Sequence, residues 1–127
     1  MIAIVVDDYD SAISHYVHDL GFSLIEDTSL SADKRWVVVA PSSSGARILL
    51  AKASNDDQRA AIGNSTGGRV GFFLYTTDFA QTFQSYKSKG IEFIEEPRKE
   101  SYGQVVVFKD KYGNKWDLIE QIGKMMP

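Results

Sequence analysis

Residues 8–27, DYDSAISHYVHDLGFSLIED, and residues 78–96, DFAQTFQSYKSKGIEFIEE, follow one plan: an aspartate, an amphipathic stretch, a glycine and a β-rich run. In the first copy Ala12, Ile13, Tyr16, Val17 and Leu20 fall on one stripe, the pattern of a helix that buries a single face. Asp8 or Asp10 can accept from the free N–H groups of its first turn, and Gly21 stands where a left-handed C-terminal cap is expected. In the second copy Asp78 and Gln81 have the spacing of a capping box, and Phe79, Phe83 and Tyr86 share a face.

The flanking segments extend the plan. MIAIVV (1–6) precedes the first helix, while KRWVVVA (34–40) and ARILLAK (46–52) follow its strand, separated by the turn PSSSG. RVGFFLYTT (69–77) precedes the second helix, and IEFIEEP (91–97), GQVVVFKD (103–110) and KWDLIEQ (115–121) follow it. Asp8 matches Asp78, Tyr16 matches Tyr86, GFSLIED matches GIEFIEE and WVVVA matches QVVVF, at offsets of 70, 70, 69 and 68. Self-similarity at so steady a period marks a duplicated unit. The expected fold is α+β: two tandem βαβββ modules, residues 1–51 and 69–127, forming a curved mixed sheet around a pocket with helices on the outer face. Residues 52–68, KASNDDQRAAIGNSTGG, read as a polar linker with a short helix near residues 57–62.

Composition narrows the function. The 127 residues are 43% hydrophobic and 24% charged, an ordinary globular balance. A net charge of −3 offers no attraction to nucleic acid or an anionic membrane. No window reaches the ~18 apolar residues of a membrane span, and no basic-then-apolar leader opens the chain, so a cytoplasmic protein is expected. The absence of cysteine excludes disulfides, thiolate metal sites and cysteine nucleophiles. No Gly-x-Ser-x-Gly motif is present, and GNSTGG lacks the Lys-Ser/Thr of a phosphate loop.

Strand parity assigns faces. Ile2, Ile4, Val6, Val70, Phe72, Leu74, Trp116 and Leu118 form the bulky sets suited to packing under helices. Met1, Ala3, Val5, Gly71, Phe73, Tyr75, Lys115, Asp117 and Ile119 face the other way. That mixture of small, aromatic and charged residues suits a pocket lining. Parity places Arg47 on the face of Leu49, where it can clamp an anionic group, and Trp36 and Tyr102 lie near the expected mouth. Asp117 can anchor a ligand amine or hydroxyl, act as a general base, or pair with Lys115. His15 and His18 read as solvated helix surface.

The paired modules, with DYDSAISHY…LGF early and DKYGNKWDLI late, resemble the vicinal oxygen chelate superfamily of glyoxalases, bleomycin-resistance proteins and extradiol dioxygenases. The resemblance runs from residue 1 to about 122, and KRWVVVAP, GNSTGGRVGFFLYTTDF and YGQVVVFKDKYGNKWDLIE are similar to a glyoxalase-like subgroup. It implies a homodimer and a pocket within one chain or across the dimer. The metal ligands of the superfamily's metal-using members map here to Met1, Leu49, Gly71 and Asp117, and the neighbours Ile2, Ile48, Arg69, Val70, Phe72, Trp116 and Leu118 supply no His or carboxylate.

One carboxylate among Met, Leu and Gly falls short of the ligands a divalent ion needs. The expectation is therefore metal- and cofactor-free binding of a small, partly apolar or aromatic molecule by Phe73, Tyr75, Arg47, Leu49, Trp36, Tyr102, Lys115 and Asp117. The alternatives are a glyoxalase-like lyase or isomerase with Asp117 as base or metal ligand, and an interaction domain whose pocket is vestigial.

Overall fold

A computed structural model describes residues 1–121, and the tail 122–127 of the expected second module lies outside the described residues. The chain divides into two compact units, the first Met1–Ser65 and the second beginning at Thr66. Each has the expected βαβββ plan and its own mixed sheet, and the architecture is α+β.

In the first unit β1 (Ile2–Val6) leads into α1 (Tyr9–Ile13). Asp8 is the cap: its carboxylate accepts from the Ser11 N–H at 2.8 Å. The helix continues through Ser14–Asp19 in wider π-type turns, and Leu20 N donates to the His15 carbonyl five residues back. Gly21, at φ 78°, turns the chain into β2 (Ser23–Ser29). β3 (Arg35–Ala40), β4 (Ile48–Lys52) and a short α2 (Asp56–Ala61) complete the unit. The sheet order is β1-β4-β3-β2, with β1 parallel to β4.

Ile4, Val6, Val37, Val39, Ile48 and Leu50 are buried with Ala12, Tyr16 and Leu20. Each large apolar side chain removed from water contributes about 1.5–3 kcal/mol. His15 is buried as well, contrary to its expected place on the solvated surface. Position 15 borders the stripe of Ala12 and Tyr16, and the His15 ring packs edge-on against Tyr16 at 5.1 Å, which draws it in from the polar side. Its Nδ1 lies 3.1 Å from the Asp19 carboxylate.

In the second unit β5 (Phe72–Tyr75) leads to α3 (Phe79–Ser88), capped by Asp78 through the Gln81 N–H. The central strands β8 (Gly103–Lys109) and β9 (Lys115–Gln121) form a hairpin, and β9 runs parallel to β5. The segment expected as one strand, IEFIEEP, is broken into β6 (Glu92–Phe93) and, past Pro97, β7 (Arg98–Glu100), both paired with β8. Proline has no N–H to give a ladder, and the register slips around it. Had β6 run on in register, Glu96 would oppose Val105; Arg98 does so instead. Under α3, Phe72, Phe93, Phe108 and Trp116 form an aromatic core, with Phe72 stacked on Trp116 at 4.8 Å.

Candidate functional site

The stretch DKYGNKWD folds around a carboxylate, and that carboxylate is Asp110. Buried at the end of β8, it accepts from Tyr112 N at 2.9 Å, Asn114 N at 3.0 Å, Asn114 Nδ2 at 3.0 Å and the Trp116 indole N–H at 3.0 Å. Gly113 adopts φ 98° to close the turn. Asp110 thus fixes the start of β9 and, with it, which side chains β9 turns to each face. An aspartate three residues before a Gly-Asn pair is a turn signal legible in sequence, although nothing in the spacing alone marks it as the organiser of the hairpin.

Seven residues on, Asp117 points to the face opposite the aromatic core. Its row across the sheet is Val107, Asp117 and Phe73, and the next row is Arg98, Val105, Ile119 and Tyr75. Phe73 and Tyr75 are 53% and 56% exposed, unusual for large apolar rings. Ile119 and Val105 are buried. Asp117 itself is half-buried, and its Oδ1 is shielded from solvent with no hydrogen-bond partner among the described residues. Lys115 forms no ion pair with it among the described residues.

Burial raises the Asp117 carboxyl above the ordinary aspartate range; the Arg98 charge opposes this and Glu95 adds to it. Arg98 is held at 2.7 Å by Glu95 and at 2.6 Å by Glu100, and its charge only partly offsets the effect of burial on Asp117. A desolvated carboxylate of this kind can accept a hydrogen bond from a ligand or remove a proton from one. Alternation from Phe93 already gives Arg98 the Asp117 face, but its row, beside Val105 rather than Gly103, comes from the two-residue slip around Pro97, and Glu95 is brought in by its bond to Arg98.

The first unit contains a cavity of about 640 Å³. Trp36 and Leu49 line it with Tyr9, Lys34, Lys52 and Arg59. Arg47 is exposed just before β4 and is not among its lining residues. Tyr102 sits half-buried in the turn between β7 and β8. The residues singled out in the sequence therefore fall into two groups, Trp36 and Leu49 in the first unit, and Phe73, Tyr75, Lys115 and Asp117 in the second.

The glyoxalase, bleomycin-resistance protein and dioxygenase superfamily model matches residues 1–118. The chain belongs to this superfamily. An uncharacterized superfamily relative from Shewanella frigidimarina is 51% identical over 121 residues, covering 94% of this chain and 90% of the relative. The crystal structure of UcmS2 is similar at a TM-score of 0.78 and 26% identity, covering 93% of each chain. TnmS3, an antibiotic binding protein from Streptomyces sp. CB03234, shares the superfamily fold at a TM-score of 0.73 and 23% identity, covering 94% of this chain and 93% of that one.

The residues to which the resemblance assigns the metal-ligand positions are an exposed Met1, the aliphatic Leu49, Gly71 and Asp117. A Cβ at Gly71 would run into the Thr66 methyl group, so a larger ligand side chain there needs Thr66 to move. Among the described residues no three His, Asp or Glu side chains converge to hold a metal ion. The donor set does not fit a divalent cation, which takes several N or O ligands from protein.

Proposed function

We propose that the protein binds a small, partly aromatic or amphiphilic molecule without a metal, using Asp117 as its polar anchor and Phe73 and Tyr75 as its apolar contacts. The observation that carries this is the shielded, partnerless Oδ1 of Asp117 beside two half-exposed rings. A buried polar atom without a partner costs about 1–3 kcal/mol, a cost that an N–H or O–H donor on a ligand removes. The rings offer area that such a ligand would cover. The antibiotic-binding character of TnmS3 supports the reading, as does a donor set unsuited to metal. The same reading has the protein acting as a cytoplasmic homodimer, for which light scattering gives the mass.

The test is a thermal-shift screen of small aromatic compounds with and without EDTA. A specific ligand raises the midpoint by mass action, and the rise should survive EDTA. Asp117→Asn should then weaken that ligand by about 1–3 kcal/mol. Shifts confined to divalent metals, and abolished by Asp117→Ala, would overturn the proposal. The raised Asp117 carboxyl favours a second reading, a glyoxalase-like lyase or isomerase with Asp117 as base. Turnover of glutathione adducts that disappears in Asp117→Asn would establish that reading in its place.

A further inference from the structure

The cavity of the first unit lies where the ladder between two neighbouring strands stops. β3 and β4 share only two ladder pairs, Val38 with Leu49 and Val39 with Ile48, both beside their connecting turn. Beyond them β3 still runs back to Arg35 and β4 on to Lys52. Each strand keeps its outer neighbour along this length: Trp36 and Arg35 pair with Thr28 and Ser29, and Ala51 and Lys52 with Val5 and Val6. The parted halves are therefore braced from behind. A continued β3–β4 ladder would oppose Trp36 to Ala51 and Arg35 to Lys52, and those residues line the cavity instead. Its volume of about 640 Å³ lies within the range of small-molecule sites, roughly 300–1,000 Å³. Its braced walls require little ordering on binding.

The chemistry of the slot is uneven. Trp36, Leu49, Leu50, Ala51 and Ala53 supply its apolar half, and Tyr9, Ser54, Gln58 and the charged groups supply the rest. Lys34, Arg35, Lys52 and Arg59 reach it against a single acid, Asp33, in a chain whose net charge is −3. Arg35 is committed: Nε and Nη2 hold Asp27 at 3.1 and 2.7 Å, and Nη1 holds Asp10 at 2.8 Å. The same guanidinium lies 5.3 Å over the Tyr9 ring, so Arg35 and Tyr9 act as structure. Among the described residues Arg59 is tied to the fully exposed Asp56, a pairing of small value. Lys34 and Lys52 have no ion pair among the described residues, and Asp8 attracts Lys52 only at longer range. Two ammonium groups without an ion pair among the described residues thus flank a slot of mixed polar and apolar lining with an indole in its wall.

We infer that the slot between β3 and β4 binds a flat apolar anion, an aromatic carboxylate or phosphate monoester, with its ring against Trp36 and Leu49 and its charge met by Lys34 and Lys52. The site is built wholly from the first unit and does not depend on the role proposed for Asp117. An indole wall receives a planar ring over a large area, and ammonium groups meet carboxylate or phosphate as point charges.

The test titrates the full chain with 2-naphthoate, 2-naphthyl phosphate and the cationic isostere 2-naphthylmethylamine, following the Trp36 indole N–H by NMR. Trp36→Phe assigns that signal, since Trp116 is the other indole. Both anions should shift it saturably, more weakly as salt is raised, and the amine should bind at least about tenfold more weakly. Lys34 and Lys52 are exposed, so Lys34→Gln/Lys52→Gln should keep the amide spectrum and lose about tenfold in affinity for both anions. Inorganic phosphate should fail to compete with 2-naphthyl phosphate. Equal binding of the amine, unchanged affinity in the double variant, competition by inorganic phosphate, or shifts that leave Trp36 unmoved would each overturn the inference.

Discussion

Asp110→Asn should destabilise the second unit by about 3–5 kcal/mol, although it changes one oxygen to nitrogen. The carboxylate takes at least four hydrogen bonds, among them two from the backbone N–H groups of Tyr112 and Asn114 and two from the side chains of Asn114 and Trp116. An asparagine can turn its carbonyl to the backbone pair. Its amide then faces the Asn114 amide and the Trp116 indole, so two bonds to a charged acceptor become donor-to-donor contacts. Each lost bond is worth about 1.5–3 kcal/mol, against a total stability of about 5–15 kcal/mol. Urea unfolding followed by tryptophan fluorescence and circular dichroism measures the loss. A double-mutant cycle with Trp116→Phe isolates the mechanism: removing one opposing donor should make the two changes less than additive by about 1 kcal/mol. A loss below 1 kcal/mol, or simple additivity, would refute the reasoning.

Asp117, seven residues along the same hairpin, should behave in the opposite sense. Its folded carboxyl holds a proton more tightly than the unfolded chain does, because burial disfavours its charge. Below the ordinary value of 3.8 both states are protonated and no cost arises; as pH rises through the raised folded value, the native state alone bears the desolvation cost. Asp117→Asn should therefore gain stability over the natural protein across that rise, and a pH-independent difference in urea midpoints would count against the assignment. Gly103→Ala should cost about 2–4 kcal/mol in thermal or chemical unfolding, because its Cβ would strike the Glu120 carbonyl, a backbone atom that cannot step aside. A variant as stable as the natural protein would show that the β8 edge yields more readily than its packing implies.

The sequence by itself determined the duplicated plan. Helix stripes, the caps at Asp8 and Asp78 and the glycine after each helix are local features, and local sterics and hydrogen bonding suffice to specify them. Strand parity likewise put Trp116 and Leu118 in the core and Phe73, Tyr75 and Asp117 on the other face, since alternation follows from the pleat. Wherever a side chain's place depends on register or on the spacing of neighbouring strands, residue order alone did not decide it. His15 is buried against the Tyr16 ring, Arg98 lies beside Val105 because the ladder slips two residues around Pro97, and the slot beside Trp36 lies where the β3–β4 ladder stops after two pairs. Asp110 gives the plainest contrast. Its neighbours in sequence mark a turn, but its burial and its bond to the Trp116 indole come only from the hairpin closing on itself. Such placements are set by the packing of segments far apart in the chain, which no local pattern encodes.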